Sequence, residues 1–340
     1  MVKVKLLEIE EFISNLFCKS GLNKEDVKTA TEVFMRATIR GVGHHDIHDL
    51  PGRLASLEAG KINAKPSIKL LHQYAGLENY EGDNCLGEIG AMFVMNRAEQ
   101  LADEHGIGLC TIRNTNHILA CSPYPEKASE DGYIGYIITR AAPSMGAPDR
   151  KEKVIGASPM SYAAPTNKGY PIMFDACLAY ASFGVLSSKI KAGESVPPYW
   201  GLDAEGNQST DPAAIAKGTR LPIGGHKGFG LTILGEIITG ILSEGQIIDE
   251  PQPVTGAIGK PTHTAICIKA DGLMSLETFK DRTSEMIDRM ESRAVGLQIP
   301  GQHSAKNKEK IKAAGTIELT EDLIEELNKW ALKLGVAPVL

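Results

Sequence analysis

The sequence predicts an α/β fold entered through a helical N-terminal segment. Two amphipathic helices are readable at 6–19 and 24–40 before any strand signal. Two apolar runs of strand length, 106–112 and 133–139, each follow a helix-like stretch, 87–105 and 120–131. Helix followed by short buried strand, repeated, is the pattern of an α/β layer. The alternation continues to the C-terminus without a tandem repeat or a clean linker.

Each element has a local reason. Leu6, Ile9, Phe12, Ile13 and Leu16 share one face of the first helix. Asn23 stands at the N-cap of the second, with Glu25 and Asp26 in its first turn and Gly41 at its end. Residues 141–171 are rich in Gly, Pro and Ser and read as long loops with short strands. A helix is expected over roughly 178–192, polar turns over 194–222, and the most apolar helix of the chain over 227–243. A strand at 263–270, a helix at 275–292, a turn at Pro300 and Gly301, and helices at 305–314 and 320–334 complete the reading.

Composition narrows the function. The net charge of -6 is spread along the chain, which disfavours nucleic acid as a partner, because phosphate binding needs a basic surface. No apolar run reaches the 18 or so residues of a membrane span, so no membrane partner is expected. Acidic residues interrupt the first dozen positions, unlike a secretion signal, and the reading is cytoplasmic. The six cysteines, at 18, 85, 110, 121, 177 and 267, form no CxxC pair and are expected to be reduced and mostly buried. A GxGxxG turn, a GxxxxGK[ST] loop and a GxSxG elbow are all absent.

Four segments carry the chemistry. GVGHHDIHDLPGRL, 41–54, packs His44, His45 and His48 beside Asp46 and Asp49. On a helix His44 and His48 would share a face, as metal ligands do, but a general-base glutamate and a third ligand are missing. The other readings are a polar helix start capped by Asp46 or Asp49, and a proton-transfer site with an imidazole oriented by a neighbour. RNTNHILACSPY, 113–124, places His117 where a strand ends and a helix begins, the usual place for active-site groups in an α/β layer. LPIGGHKGFGLTIL, 221–234, sets Lys227 among glycines before an apolar helix, suited to a phosphate or carboxylate. In FDACLAYASFG and IPGQHSAKNK, Asp175 opens a helix where it would accept from ribose hydroxyls or cap the helix, and the turn at 300–301 precedes lysines.

Taken in order and spacing, the four segments resemble the type 2 malate/L-lactate dehydrogenase family, from about residue 5 to residue 335. GDNCLG at 82–87 and the stretches at 143–145 and 156–159 add to the likeness. The resemblance implies a non-Rossmann L-sulfolactate dehydrogenase-like fold: a mixed sheet with flanking helices. It implies a homodimer, NAD or NADP as cofactor, and a small 2-keto or 2-hydroxy acid as substrate. Residues 1–75 would form a helical substrate and dimer segment, 76–300 the cofactor-binding core, and 301–340 a helical segment packing back on the N-terminal part. Carried over by position, the proton donor falls on His45 and the second active-site histidine on His117. Cofactor contacts fall on Asp175, Ala176, Cys177, Lys227, Pro300, Gly301, Gln302, His303 and Ser304.

The departures gather in the substrate pocket. His44 stands where a serine or similar group often supports the catalytic histidine. Asp49 replaces a common arginine for the substrate carboxylate, and Arg53 a tyrosine. Arg140 replaces an asparagine, Asp149 and Arg150 replace glycines, and Ala157 replaces a threonine. His44, Asp49, Arg53 and Arg140 are therefore the expected substrate-binding positions, with Arg53 or Arg140 re-supplying the lost cation. The alternative is a divergent member: an imine reductase, a metal-dependent hydrolase or lyase using His44, His45 and His48, or a non-catalytic binding protein.

Overall fold

A computed structural model describes residues 1–251 and 260–339. Its centre is a seven-stranded sheet in the order Lys69–Tyr74, Leu77–Glu81, Ile107–Arg113, His263–Lys269, Tyr133–Thr139, Met160–Ala164, Ile172–Ala176. Only Leu77–Glu81 and Ile107–Arg113 pair in parallel; the other neighbours are antiparallel, so the sheet is mixed. The two apolar runs are both strands, but they do not touch as a pair. His263–Lys269 lies between them, with His263 opposite Ile112 on one side and Thr139 on the other. A second sheet of four short strands gathers Gly201–Leu202, Thr219–Arg220, Met145–Gly146 and Lys153–Ile155. A two-stranded ribbon pairs Val2–Lys5 with Thr316–Leu319 and ties the two ends of the chain together.

Helices Leu6–Lys19 and Lys24–Arg40 form as their patterns predict. Ile9, Phe12, Ile13 and Leu16 are buried, and Phe17 meets Phe34 at 5.5 Å between ring centres. Asn23 Oδ1 accepts from Asp26 N at 2.9 Å, and Gly41 closes the second helix at φ 72°. Helix Gly87–His105 packs on strands Ile107–Arg113 and His263–Lys269 and fills the main core.

Two predicted helices begin later than expected. The one expected at 120–131 starts at Pro123, where proline sits in the first turn, so 114–122 remains a loop. The one expected from 178 starts at Phe183, capped by Ser182 Oγ on Val185 N. The residues before it give their amides to neighbours instead: Leu178 N to Ala157 O and Tyr180 N to Leu221 O. Asp175 therefore lies within a strand and does not cap the helix that follows it.

The most apolar helix is built inside out. His226–Glu236 continues through a π-helical turn at Ile237–Ile241. Its inward face is small or polar: Gly228, Thr232, Gly235, Glu236, Thr239 and Gly240 are buried. Leu231, Leu234, Ile237 and Ile241 turn outward, each between 45% and 57% exposed. All six cysteines are free thiols; Cys18 is exposed, Cys177 half-buried and the rest buried. Among the described residues no helix is long and apolar enough to cross a membrane.

Candidate active site

The histidine cluster is shaped by Asp46. This buried carboxylate accepts Gly43 N at 2.8 Å, His48 N at 3.1 Å and His48 Nδ1 at 2.6 Å, so residues 43–48 turn tightly before helix Leu50–Glu58 begins. That turn keeps the His44 and His45 rings 4.5 Å apart but draws His48 away from them. His48 is spent on Asp46, while the His44 ring packs on Gly184, where a Cβ would stand 2.3 Å from it, and lies 3.5 Å from Ser182 Oγ. The expected convergence of His44, His45 and His48 does not occur, because residues 43–46 are not helical.

His45 instead meets His117. Ala120 N donates to His45 O at 3.3 Å, joining the 41–49 segment to the 114–122 loop, and the two rings stand 4.6 Å apart, centre to centre. His45 Nδ1 donates to Asp49 Oδ2 at 3.1 Å, leaving Nε2 free of the pair. Burial raises the Asp49 carboxyl, but the bond to His45 and the Arg53 charge outweigh it, and the net shift is downward. Asp49 is thus a carboxylate that orients an imidazole.

The 114–122 loop is fixed from three sides. Asn116 Nδ2 donates to Cys85 O at 2.8 Å, and Lys260 Nζ bridges Asn84 and Asn116. GDNCLG and NTNH are one structural unit, and Gly87 is required there: a Cβ would lie 2.3 Å from His117 O. From below, buried His263 gives its Nε2–H to Thr115 Oγ1 at 2.7 Å and Asn116 O at 3.1 Å. Leu119, at φ 61°, turns its amide back to His117 Nδ1 at 3.2 Å.

Arg53 completes the arrangement. Its Nε donates to buried Glu88 at 2.9 Å, and its Nη2 donates to His117 Nδ1 at 2.9 Å and His117 O at 3.1 Å. A guanidinium has no lone pair to offer, so Nδ1 is an acceptor and the neutral ring carries its proton on Nε2. Crowding by protein atoms, then the Arg53 charge, lowers the His117 pKa well below its ordinary value. His45, Asp49 and His117 each bring a possible ligand atom within 4.8 Å of the others. A metal on His117 would need Nδ1–H or would displace Arg53, so the cluster is poorly built for an ion.

The expected cofactor residues converge on one strand. Asp175, Ala176 and Cys177 end Ile172–Ala176 and continue it. At one side Met173 N donates to Pro300 O at 3.0 Å, and Gly301, at φ 91°, fits against Met173. Ser304 Oγ accepts from Arg40 Nη1 at 2.9 Å, while His303 is exposed and Gln302 half-buried. At the other side Ile223 N donates to Leu178 O at 2.9 Å, which brings up the glycine turn and exposed Lys227. Asp175 Oδ2 accepts Ser122 N at 2.7 Å, so the start of helix Pro123–Glu130 already faces a carboxylate. Crowding by surrounding protein atoms raises the Asp175 carboxyl, although the residue is open to solvent; the Ser122 bonds and the nearby His45 oppose that.

The remaining expectations are corrected. Arg140 is buried, with its Nε on Glu236 Oε1 at 2.9 Å and its Nη atoms on Lys260 O and Ile248 O. It has no free face for a substrate anion. Arg53 is near the cleft, but Glu88 and His117 already use it. Asp149 and Arg150 are exposed, and Ala157 is buried. Glu88, His263 and Arg220 were not singled out in the sequence. Glu88 is a lone charge in the otherwise apolar stretch 86–92, a faint signal of a buried partner; His263, between two threonines, and Arg220, after Lys217 and Thr219, carry no such mark.

His263 sets a pH limit on stability. Burial lowers its pKa from 6.5 to about 3. Above pH 6.5 it is neutral folded or unfolded; below, only the unfolded chain takes the proton. Stability therefore falls by about 1.4 kcal/mol per pH unit from pH 6.5 downward. Urea midpoints at pH 7, 6 and 5 should show at least this slope, and His263→Gln should lower it by about 1.4 kcal/mol per pH unit, while His117, also held below its ordinary value, keeps a slope of its own.

An imidazole pair beside a carboxylate, on a mixed α/β sheet with neither a P-loop nor a Rossmann turn, is a set of groups able to hold and pass a proton. The chain belongs to the malate/L-lactate dehydrogenase family, whose model matches residues 4–328, and it is an oxidoreductase. It is 28% identical to a malate dehydrogenase of Pyrococcus abyssi, over 98% of this chain and 96% of the relative. It is 30% identical to a 2,3-diketo-L-gulonate reductase of Klebsiella pneumoniae, over 84% and 86%. The solved sulfolactate dehydrogenase of Methanocaldococcus jannaschii superposes with a TM-score of 0.90 at 28% identity, covering 98% of each chain. The mixed-sheet fold implied by the sequence resemblance is the observed one.

Proposed function

We propose that this chain is an NAD(P)-dependent oxidoreductase of small 2-keto and 2-hydroxy acids, with His45 as proton donor and acceptor. The His45–Asp49 pair facing His117 carries the reading. Asp49 holds His45 by Nδ1, so Nε2 is the atom that gives or takes the substrate hydroxyl proton. His117, locked with its proton on Nε2, donates a hydrogen bond to the substrate oxygen and does not titrate with it.

The residues present suit a dinucleotide. Gly224 and Gly225 both have φ near +60°, and a Cβ on Gly225 would meet nothing within 4 Å, which leaves an open turn beside Lys227. Asp175, Ala176, Cys177, Lys227 and residues 300–304 would hold the nucleotide along one strand. The nicotinamide, when bound, supplies or accepts the hydride. The test is oxidation of NADH and NADPH with a panel of 2-keto acids, sulfonated keto acids and cyclic imines, with and without chelator. Turnover of an acid insensitive to chelator supports the reading. No nucleotide binding up to millimolar removes it, and dependence on added metal would favour the His45, Asp49 and His117 cluster as a metal centre.

The homodimer belongs to the same proposal. An outward stripe of Leu231, Leu234, Ile237 and Ile241 is too apolar for a free surface. Sedimentation should give twice the chain mass, and Leu234→Glu should give the monomer.

A further inference from the structure

Three arginines are buried: Arg40, Arg140 and Arg220. Arg40 is paired with Glu126 and Arg140 with Glu236. Arg220, 4% exposed, has no carboxylate within ion-pair distance among the described residues. Its Nη1 donates to Ala181 O at 3.2 Å and its Nη2 to Ser144 Oγ at 2.6 Å. Its buried Nε–H has no acceptor among the described residues. The guanidinium carbon lies 3.9 Å from the centre of the Phe183 ring, and Phe183 is itself half exposed. A buried cation held by two neutral oxygens and a ring is costly to the fold, since neutral acceptors do not replace a counter-charge.

The location gives that cost a purpose. Arg220 binds the carbonyl of Ala181; the next three residues, Ser182, Phe183 and Gly184, reach His44, whose ring lies 4.5 Å from that of His45. One short segment thus separates the unpaired guanidinium from the imidazole cluster. The expected cations, Arg53 and Arg140, are both neutralised by glutamates, and Asp49 adds a negative charge to the cleft. An acid substrate still requires a cation there.

We propose that Arg220 is an oxyanion-binding residue of the active site and takes the carboxylate of the acid substrate, Phe183 forming the wall over it. This rests on the substrate class proposed above. The same chemistry would suit a phosphate of the dinucleotide, and the experiment separates the two sources.

Thermal unfolding of the wild-type chain, Arg220→Met and Arg220→Lys is measured alone, with oxalate and with pyrophosphate, without cofactor; NADH affinity is titrated separately. Oxalate should stabilise the wild type. Arg220→Met should unfold at a higher temperature than the wild type when ligand-free, because an unpaired buried charge is gone. It should bind oxalate roughly tenfold to a hundredfold more weakly with NADH affinity unchanged, and Arg220→Lys should fall between. An oxalate response that is absent in the wild type, or unchanged in either variant, overturns the proposal. So does a response to pyrophosphate with none to oxalate, which would assign Arg220 to the dinucleotide. If Arg220→Met does not fold, Arg220→Lys and the wild-type titration decide. An Arg220-dependent oxalate response in a chain that binds no NADH would uphold the anion site and remove the dehydrogenase reading.

Discussion

His45→Ala should lose turnover by about 10²–10⁴-fold, the span of a lost general acid–base group, while NADH affinity stays within about twofold. His45 and the nucleotide positions are neighbours, but their bonds differ. His45 lies on the turn 43–48, bonded to Asp49 and facing His117, whereas the residues expected to hold the nucleotide line strand Ile172–Ala176 and the turns at 222–227 and 300–304. Asp49→Asn should follow with a smaller loss, because an amide can present its NH₂ to Nδ1 and turn the imidazole into the wrong tautomer. Stopped-flow NADH binding and single-turnover oxidation check both. Equal loss of cofactor binding and turnover in His45→Ala would show that the residue holds the nucleotide and not the proton.

How much of this was legible depended on range along the chain. Asn23 and Gly41 bound their helix by contacts within four residues, and the sequence states them outright. The strand at 263–269 was readable as a strand. Its place between 107–113 and 133–139 was not, because insertion of a late strand leaves no local mark. In the site, His45 and His117 were legible as motifs, and their meeting was implied by the resemblance. What each substitution does was not. Asp49 read as a lost cation, and the structure shows a carboxylate oriented toward His45. Arg53 and Arg140 read as replacement cations. Their partners, Glu88 and Glu236, are 35 and 96 residues away, and nothing in the sequence pairs them. The helix at 227–243 read as apolar, but only the fold shows that its large side chains face outward.

Arg53→Leu should have two separable consequences. The first is on stability. Glu88 is fully buried, its Oε2 has no partner among the described residues, and burial already raises its carboxyl against the opposing pull of Arg53. Removing the guanidinium leaves an uncompensated buried acid, a loss of about 3–5 kcal/mol, readable in urea midpoints at pH 7. The second is on His117. Without Arg53, Nδ1 keeps only the weaker Leu119 amide at 3.2 Å, and the ring is free to exchange tautomers. Turnover should fall by roughly tenfold to a hundredfold, the worth of a misdirected hydrogen bond. Crowding by protein atoms is the main cause of the low His117 pKa, and the Arg53 charge is the next. Its removal favours the imidazolium, so the acid limb of kcat/KM should move to higher pH. Glu88→Gln added to Arg53→Leu removes the stranded charge and should recover most of the stability. It cannot restore a donor to Nδ1, so turnover and the shifted acid limb should stay as in Arg53→Leu. Recovery of turnover together with stability would confine Arg53 to the fold. Stability without turnover would establish that it positions His117.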